Sequence, residues 1–204
     1  CTQNCVNCGA SAYANKRVLN RDRIALKKPE VVAAELVNVY NCYDFPLRFF
    51  GDFRIAGPRY VDRLIKNIRR FTGGKKIDTP AIFEYFWPGD EAYMKEFQNI
   101  FHMTAIEMSP ETGNDIVRYK QGRLYSNDSI LRSAKKAKEL GVTHLIYWFQ
   151  IGNGFESIDS LNDTQHLCKD LIALSPDTIH PFLSPLCPYT DPGSLSFEQP
   201  SEHG

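Results

Sequence analysis

Cys1-Thr2-Gln3-Asn4-Cys5-Val6-Asn7-Cys8-Gly9 opens the chain and sets three thiols in a C-x3-C-x2-C spacing. Thiolates are soft ligands that favour zinc or iron–sulfur centres. Zinc usually takes two C-x2-C pairs, or one pair with histidines. No second pair exists here, since Cys42, Cys168 and Cys187 stand alone. Ordinary iron–sulfur clusters take four thiolates. Three close ligands without a fourth therefore point to a [4Fe–4S] cluster with one iron open to an outside ligand. Zinc with a remote fourth ligand, or a spacing without function, are the competing readings.

The 204 residues downstream of and including this motif are enough for one domain with a substantial core. Lysine plus arginine and aspartate plus glutamate number 24 each, so the net charge is zero. Nucleic-acid binding normally needs a basic excess, and that class is set aside. A local excess at Lys16, Arg17, Arg21, Arg23, Lys27 and Lys28 is opposed by Asp22 alone. It reads first as a solvated loop and second as a contact for phosphate or a substrate carboxylate. No apolar run is long enough to span a bilayer, so no membrane partner is expected. Clustered free thiols point to a reducing compartment, hence a cytoplasmic location. Because the chain begins at a ligand Cys without Met, it reads as a fragment that is not the whole catalytic unit.

Beyond Gly9, an irregular basic stretch to Lys28 predicts a loop or short helix. Pro29 and Glu30 open a helix through Tyr40. Residues 45–50 predict a strand, 59–71 an amphipathic helix, 81–86 a strand and 91–100 a helix. Further strands are expected at 103–108, 144–151 and 178–183. Helices are expected near 114–119, from the Ser126 cap to Leu140, and over 157–174. Strand–helix alternation with short connections implies parallel strands with right-handed crossovers. Residues 1–184 then form the core domain, and Pro185, Pro188, Pro192 and Gly193 predict an extended segment over 185–204.

The C-x3-C-x2-C spacing resembles the signature of the radical S-adenosylmethionine (SAM) superfamily. Asn7 departs from the family pattern, which often has an aromatic residue before the third Cys. The resemblance implies an α/β fold, a partial (β/α)6 TIM-like barrel whose first strand lies upstream of Cys1. It also implies that Cys1, Cys5 and Cys8 hold a [4Fe–4S] cluster and that SAM chelates its open iron. Gly51-Asp52 resembles the family's Gly-Gly-Glu-like turn that receives the SAM amino group. Glu107-Met108-Ser109-Pro110-Glu111-Thr112-Gly113 is similar to strand ends of cobalamin-associated members, implicating Glu107, Ser109 and Glu111. Arg123 matches an arginine that pairs with the SAM carboxylate, and Gln150-Ile151-Gly152 an element near adenine.

On the same resemblance, the reaction is reductive SAM cleavage to a 5′-deoxyadenosyl radical acting on an unidentified, small-molecule or other, substrate. The electron comes from a donor such as flavodoxin or ferredoxin. Cobalamin, bound by an upstream domain, would add methyl transfer or rearrangement. The alternatives are a zinc- or cluster-binding interaction module and a barrel kept as a scaffold. His180 reads as a satisfied histidine, and Phe83, Tyr85, Phe86 and Trp87 as a core strand.

Overall fold

The computed structural model describes residues 1–185 and 190–203. Five strands, β1 (Leu47–Phe49), β2 (Ala81–Tyr85), β3 (Thr104–Glu111), β4 (His144–Ile151) and β5 (Ile179–Pro185), form one sheet in sequential order. Every neighbouring pair is parallel. Parallel neighbours require crossovers, and helices supply them: α3 (Pro58–Phe71), α4 (Glu91–Gln98), α5 (Asp115–Lys120), α6 (Asn127–Glu139) and α7 (Ile158–Leu174). Two more helices precede the sheet, α1 (Ala12–Leu19) and α2 (Pro29–Cys42). The alternating α/β architecture expected from the sequence is therefore present, with five strands among the described residues.

Period-two alternation gives the sheet two unlike faces. Leu47, Phe83, Ile106, Leu145, Tyr147 and Ile179 point into the apolar core beneath the helices. On α3, Val61, Leu64, Ile65 and Ile68 are buried along one stripe, as their i, i+3, i+4, i+7 spacing requires. Truncating fully buried Leu64 to Ala would cost about 2–5 kcal/mol. Local signals fix the ends. Ser126 Oγ accepts from the Ser129 amide to start α6, and a Ser157–Ser160 capping box starts α7.

Two expectations are corrected. β3 does not stop at Met108 but runs to Glu111. Pro110 has no amide to give the ladder, and a register irregularity between Met108 and Glu111 accommodates it. The segment 185–204 is not simply extended. Its described part turns through α8 (Leu195–Glu198) and α9 (Pro200–His203), with Ser194 Oγ accepting from the Phe197 amide. Prolines exclude a strand there, but they do not prevent a serine-capped turn. Cys187 and Pro188 lie outside the described residues.

Candidate functional site

The three-Cys loop lies across the carboxyl ends of the strands, where parallel α/β folds place ligands. Backbone contacts hold it there. The Val6 amide donates to the Gln121 carbonyl at 3.1 Å, and Ala12 donates to Gln3 at 2.8 Å. Asn4 Oδ1 accepts from the Tyr13 amide at 2.8 Å. Gly122, at φ +81°, lies directly against this loop, and a Cβ there would overlap the Asn4 carbonyl. Glycine alone satisfies both the left-handed backbone and the close approach.

The tail closes over the other side of the loop. Asp191 Oδ2 accepts from the Gly9 amide at 2.9 Å, and the Ser196 amide donates to the Val6 carbonyl at 3.1 Å. Ser194 and Ser196 are buried as a result. No sequence signal ties these residues to a motif more than 180 positions away.

Cys1, Cys5 and Cys8 line one cavity of about 260 Å³ together with Gly51, Glu84, Ser109 and Arg123. A second cavity of about 330 Å³ shares Cys5, Cys8 and Arg123 and adds Glu111, Gln121 and Gln150. Arg123, which lines both, forms a largely buried ion pair with Glu111, their side chains 14% and 10% exposed. Burial pushes the Glu111 carboxyl up while Arg123 counters it; burial pulls Arg123 down, but Glu111, Tyr125 and Cys5 together leave it raised. The guanidinium keeps its proton in proteins, so Arg123 stays cationic beside it. Burial also pushes the Cys5 thiol up, against the pull of Arg123. Glu111 itself has φ +69°, uncommon for a residue other than glycine. Such backbone conformations cluster at ligand sites and cost about 1–3 kcal/mol.

These residues fit a cluster and a polar ligand. Glu111 Oε2 and Arg123 Nε are buried without a hydrogen-bond partner among the described residues. Orphaned polar atoms of this kind are costly unless something completes them. A single zinc ion would need its thiolates about 2.3 Å away. Among the described residues, no three His, Cys, Asp or Glu side chains are grouped to hold one ion. Cys1, Cys5 and Cys8 together line the wall of one cavity.

The remaining expected residues divide. Gly51 and Ser109 stand at the first cavity and Gln150 at the second. Asp52 does not face either cavity with its side chain. Both its oxygens bind Arg54, at 2.6–3.1 Å, and Oδ2 also accepts from the Phe86 amide at 3.0 Å. Arg54 is in turn stacked on Tyr85 and Trp87, 4.6 and 4.5 Å from the ring centres. The Asp52 carboxylate is thus spent on packing, and the backbone of Gly51-Asp52 is what remains for a ligand. Ile151 is partly exposed, and the Gly152 amide donates to Glu156 Oε2 at 2.7 Å, closing its own turn.

Glu107 and Glu111, four residues apart, have different partners: Glu107 pairs with Arg48 and Glu111 with Arg123. Asn7 is joined to Gln121 Oε1 at 3.2 Å and to Asn153 Oδ1 at 3.1 Å. That link gives the polar departure from the family pattern a structural task. Arg118 was invisible to motif reading. Fully buried, it donates to the Thr112 and Tyr125 carbonyls and to Asn127 Oδ1, fixing the loop after β3. Of the basic run, Lys16, Arg21 and Arg23 line a groove of about 590 Å³ that reaches Cys1.

Comparison with solved structures decides the fold. The fold is that of radical SAM enzymes. Methylornithine synthase superposes with a TM-score of 0.56 over 97% of this chain and 53% of its own, at 17% identity. Coproporphyrinogen III oxidase from Escherichia coli, described as a radical SAM enzyme, gives 0.65 over 100% of this chain and 46% of its own, at 14% identity. The chain thus spans about half the length of each. No family model and no curated protein matches the sequence. No helix among the described residues is long and apolar enough to cross a membrane.

Proposed function

We propose that this chain is the cluster-bearing core of a radical SAM enzyme. One observation carries the reading: the three thiols of the C-x3-C-x2-C loop share a cavity with an arginine whose buried Nε has no partner among the described residues. Cys1, Cys5 and Cys8 would hold a [4Fe–4S] cluster. Arg123 Nε would donate to the SAM carboxylate, a geometry suited to guanidinium. Glu111, Ser109, Gln150 and the Gly51-Asp52 backbone would line the rest of its site. When bound, cluster and SAM supply one-electron cleavage to a 5′-deoxyadenosyl radical.

The chain's own residues position and enclose. The tail at Asp191 and Ser196 and the turn at Gly122 keep the loop in register with the strand ends. A reduced flavodoxin or ferredoxin would deliver the electron. Cobalamin-dependent methyl transfer or rearrangement is the finer proposal, supported by the resemblance of residues 107–113 to cobalamin-associated members. Anaerobic reconstitution tests the central claim. The expected product has about four irons and four sulfides per chain. Stoichiometric zinc without iron or sulfide would overturn it.

A further inference from the structure

The sheet face opposite the core carries its own chemistry. Register places Arg48 beside Ile82, Glu84 beside Glu107, and Trp148 beside Phe182, all on this face. All-parallel sheets are covered on both faces, yet this one is polar and partly open. Glu84 and Glu107 are cross-strand neighbours, and two such carboxylates repel unless cations are shared. One cation is at hand. Arg48 pairs with Glu107, and its guanidinium lies 5.0 Å from the Phe50 ring centre. Glu84 binds only the Gly51 amide, at 2.6 Å, among the described residues. Two carboxylates against one guanidinium leave Glu84 without an ion-pair partner among the described residues.

A second feature lies beside this one. The Trp148 and Phe182 rings stack at 4.9 Å with an interplanar angle of 24°. They are nonetheless 37% and 46% exposed. They sit one strand pair over from Glu107 and one step nearer the carboxyl ends, since Ile146 and His180 continue the Glu84–Glu107 row. A diagonal offset of this kind is roughly 8 Å, within reach of one small molecule. Aromatic faces attract both flat apolar groups and cations.

We propose that this face binds the substrate and that the substrate is an organic ammonium compound. Its charged nitrogen lies between Glu84 and Glu107, and its flat or apolar body lies on Trp148 and Phe182. The inference rests on the radical SAM reading for the reaction, and it names the class of molecule that reaction would act on. It assigns Glu107 to the substrate, whereas Glu111 stays with SAM. Glu84 joins the two regions, because it also lines the cavity that holds the three thiols.

The test uses three matched probes, phenethylammonium, 3-phenylpropionate and 2-phenylethanol, titrated calorimetrically into the reconstituted chain. Phenethylammonium should bind at least about tenfold more tightly than the other two, the size of one charged hydrogen bond. Glu84→Gln should remove that preference, and its amide oxygen can still accept from Gly51, so the fold is kept. Trp148→Ala should weaken all aromatic probes, while Trp148→Phe should restore them. Equal binding of the three probes, preference for the anion, no binding, or an unchanged Glu84→Gln would overturn the proposal. Iron and sulfide are measured in the same samples. Cation preference without a cluster sinks only the radical SAM reading; a cluster without cation preference sinks only this one.

Discussion

Arg123 reaches Glu111 with one guanidinium nitrogen, while its Nε and the second Glu111 oxygen have no partner among the described residues. Both are buried beside Cys5. The pair is therefore half-satisfied, and both residues line the cavity that also holds Cys5 and Cys8. A ligand with an anionic group and a donor would complete both atoms.

Removing one member of that pair leaves an unpaired buried charge, which costs about 3–5 kcal/mol. Arg123→Ala should lower unfolding free energy by that order in chemical denaturation. It should also weaken SAM about tenfold or more by calorimetry, since a charged hydrogen bond contributes about 1.5–3 kcal/mol. An unchanged SAM affinity would remove Arg123 from the SAM site.

The thiols should differ sharply in importance. Replacing Cys1, Cys5 or Cys8 with Ala should abolish iron retention after anaerobic reconstitution. Cys42 is exposed and lines no part of either thiol cavity, so Cys42→Ala should leave iron and sulfide content unchanged. Equal iron in all four variants would refute the ligand assignment.

Gly122→Ala tests the seat of the loop. The new methyl would meet the Asn4 carbonyl and force an L-residue to φ +81°, a strain of about 1–3 kcal/mol. Cluster loading should fall although no ligand has changed. Asp191→Ala should act in the same direction from the tail side, because it frees the Gly9 amide. Both effects are read from iron per chain and the visible absorption of the cluster.

Glu107 gives a pH signature. Burial raises its pKa above 4.5, with Arg48 working against the shift and Glu84 adding to it. A carboxyl whose folded pKa is raised binds its proton more tightly when folded. Its contribution is thus favourable at low pH and is lost as pH rises from 4.5 through the folded value. Melting temperature measured against pH should show this fall in the native chain. Glu107→Gln should flatten it, and an identical slope in the variant would contradict the assignment.

The Asp52–Arg54 pair should matter for folding. Asp52→Asn breaks a buried ion pair beneath Tyr85 and Trp87, with an expected loss of about 3–5 kcal/mol. SAM affinity of the folded variant should change little, because the carboxylate faces Arg54. A selective loss of SAM binding with stability intact would return Asp52 to the ligand site.

By itself, the sequence determined the alternation of elements, because period-two and period-3.6 patterns are local and survive without tertiary context. It also determined the thiol triad, whose spacing lies within one short loop. The cap at Ser126 was legible for the same reason. The tertiary structure alone decided what those pieces meet. Pro110 reads as a strand stop, yet the irregular register of β3 with β4 carries the strand past it. Glu107 and Glu111 are four apart in sequence, and their separate partners follow a register irregularity before Glu111 and a positive φ at it. Gly51-Asp52 was legible as a turn, but the partners of the Asp52 carboxylate, Arg54 and the Phe86 amide, were not. Asp191 and Arg118 carry no signal at all, since a hydrogen bond between segments far apart in sequence leaves no local pattern. Side-chain partnership is set by packing across the fold, and that information exists only once the chain has closed on itself.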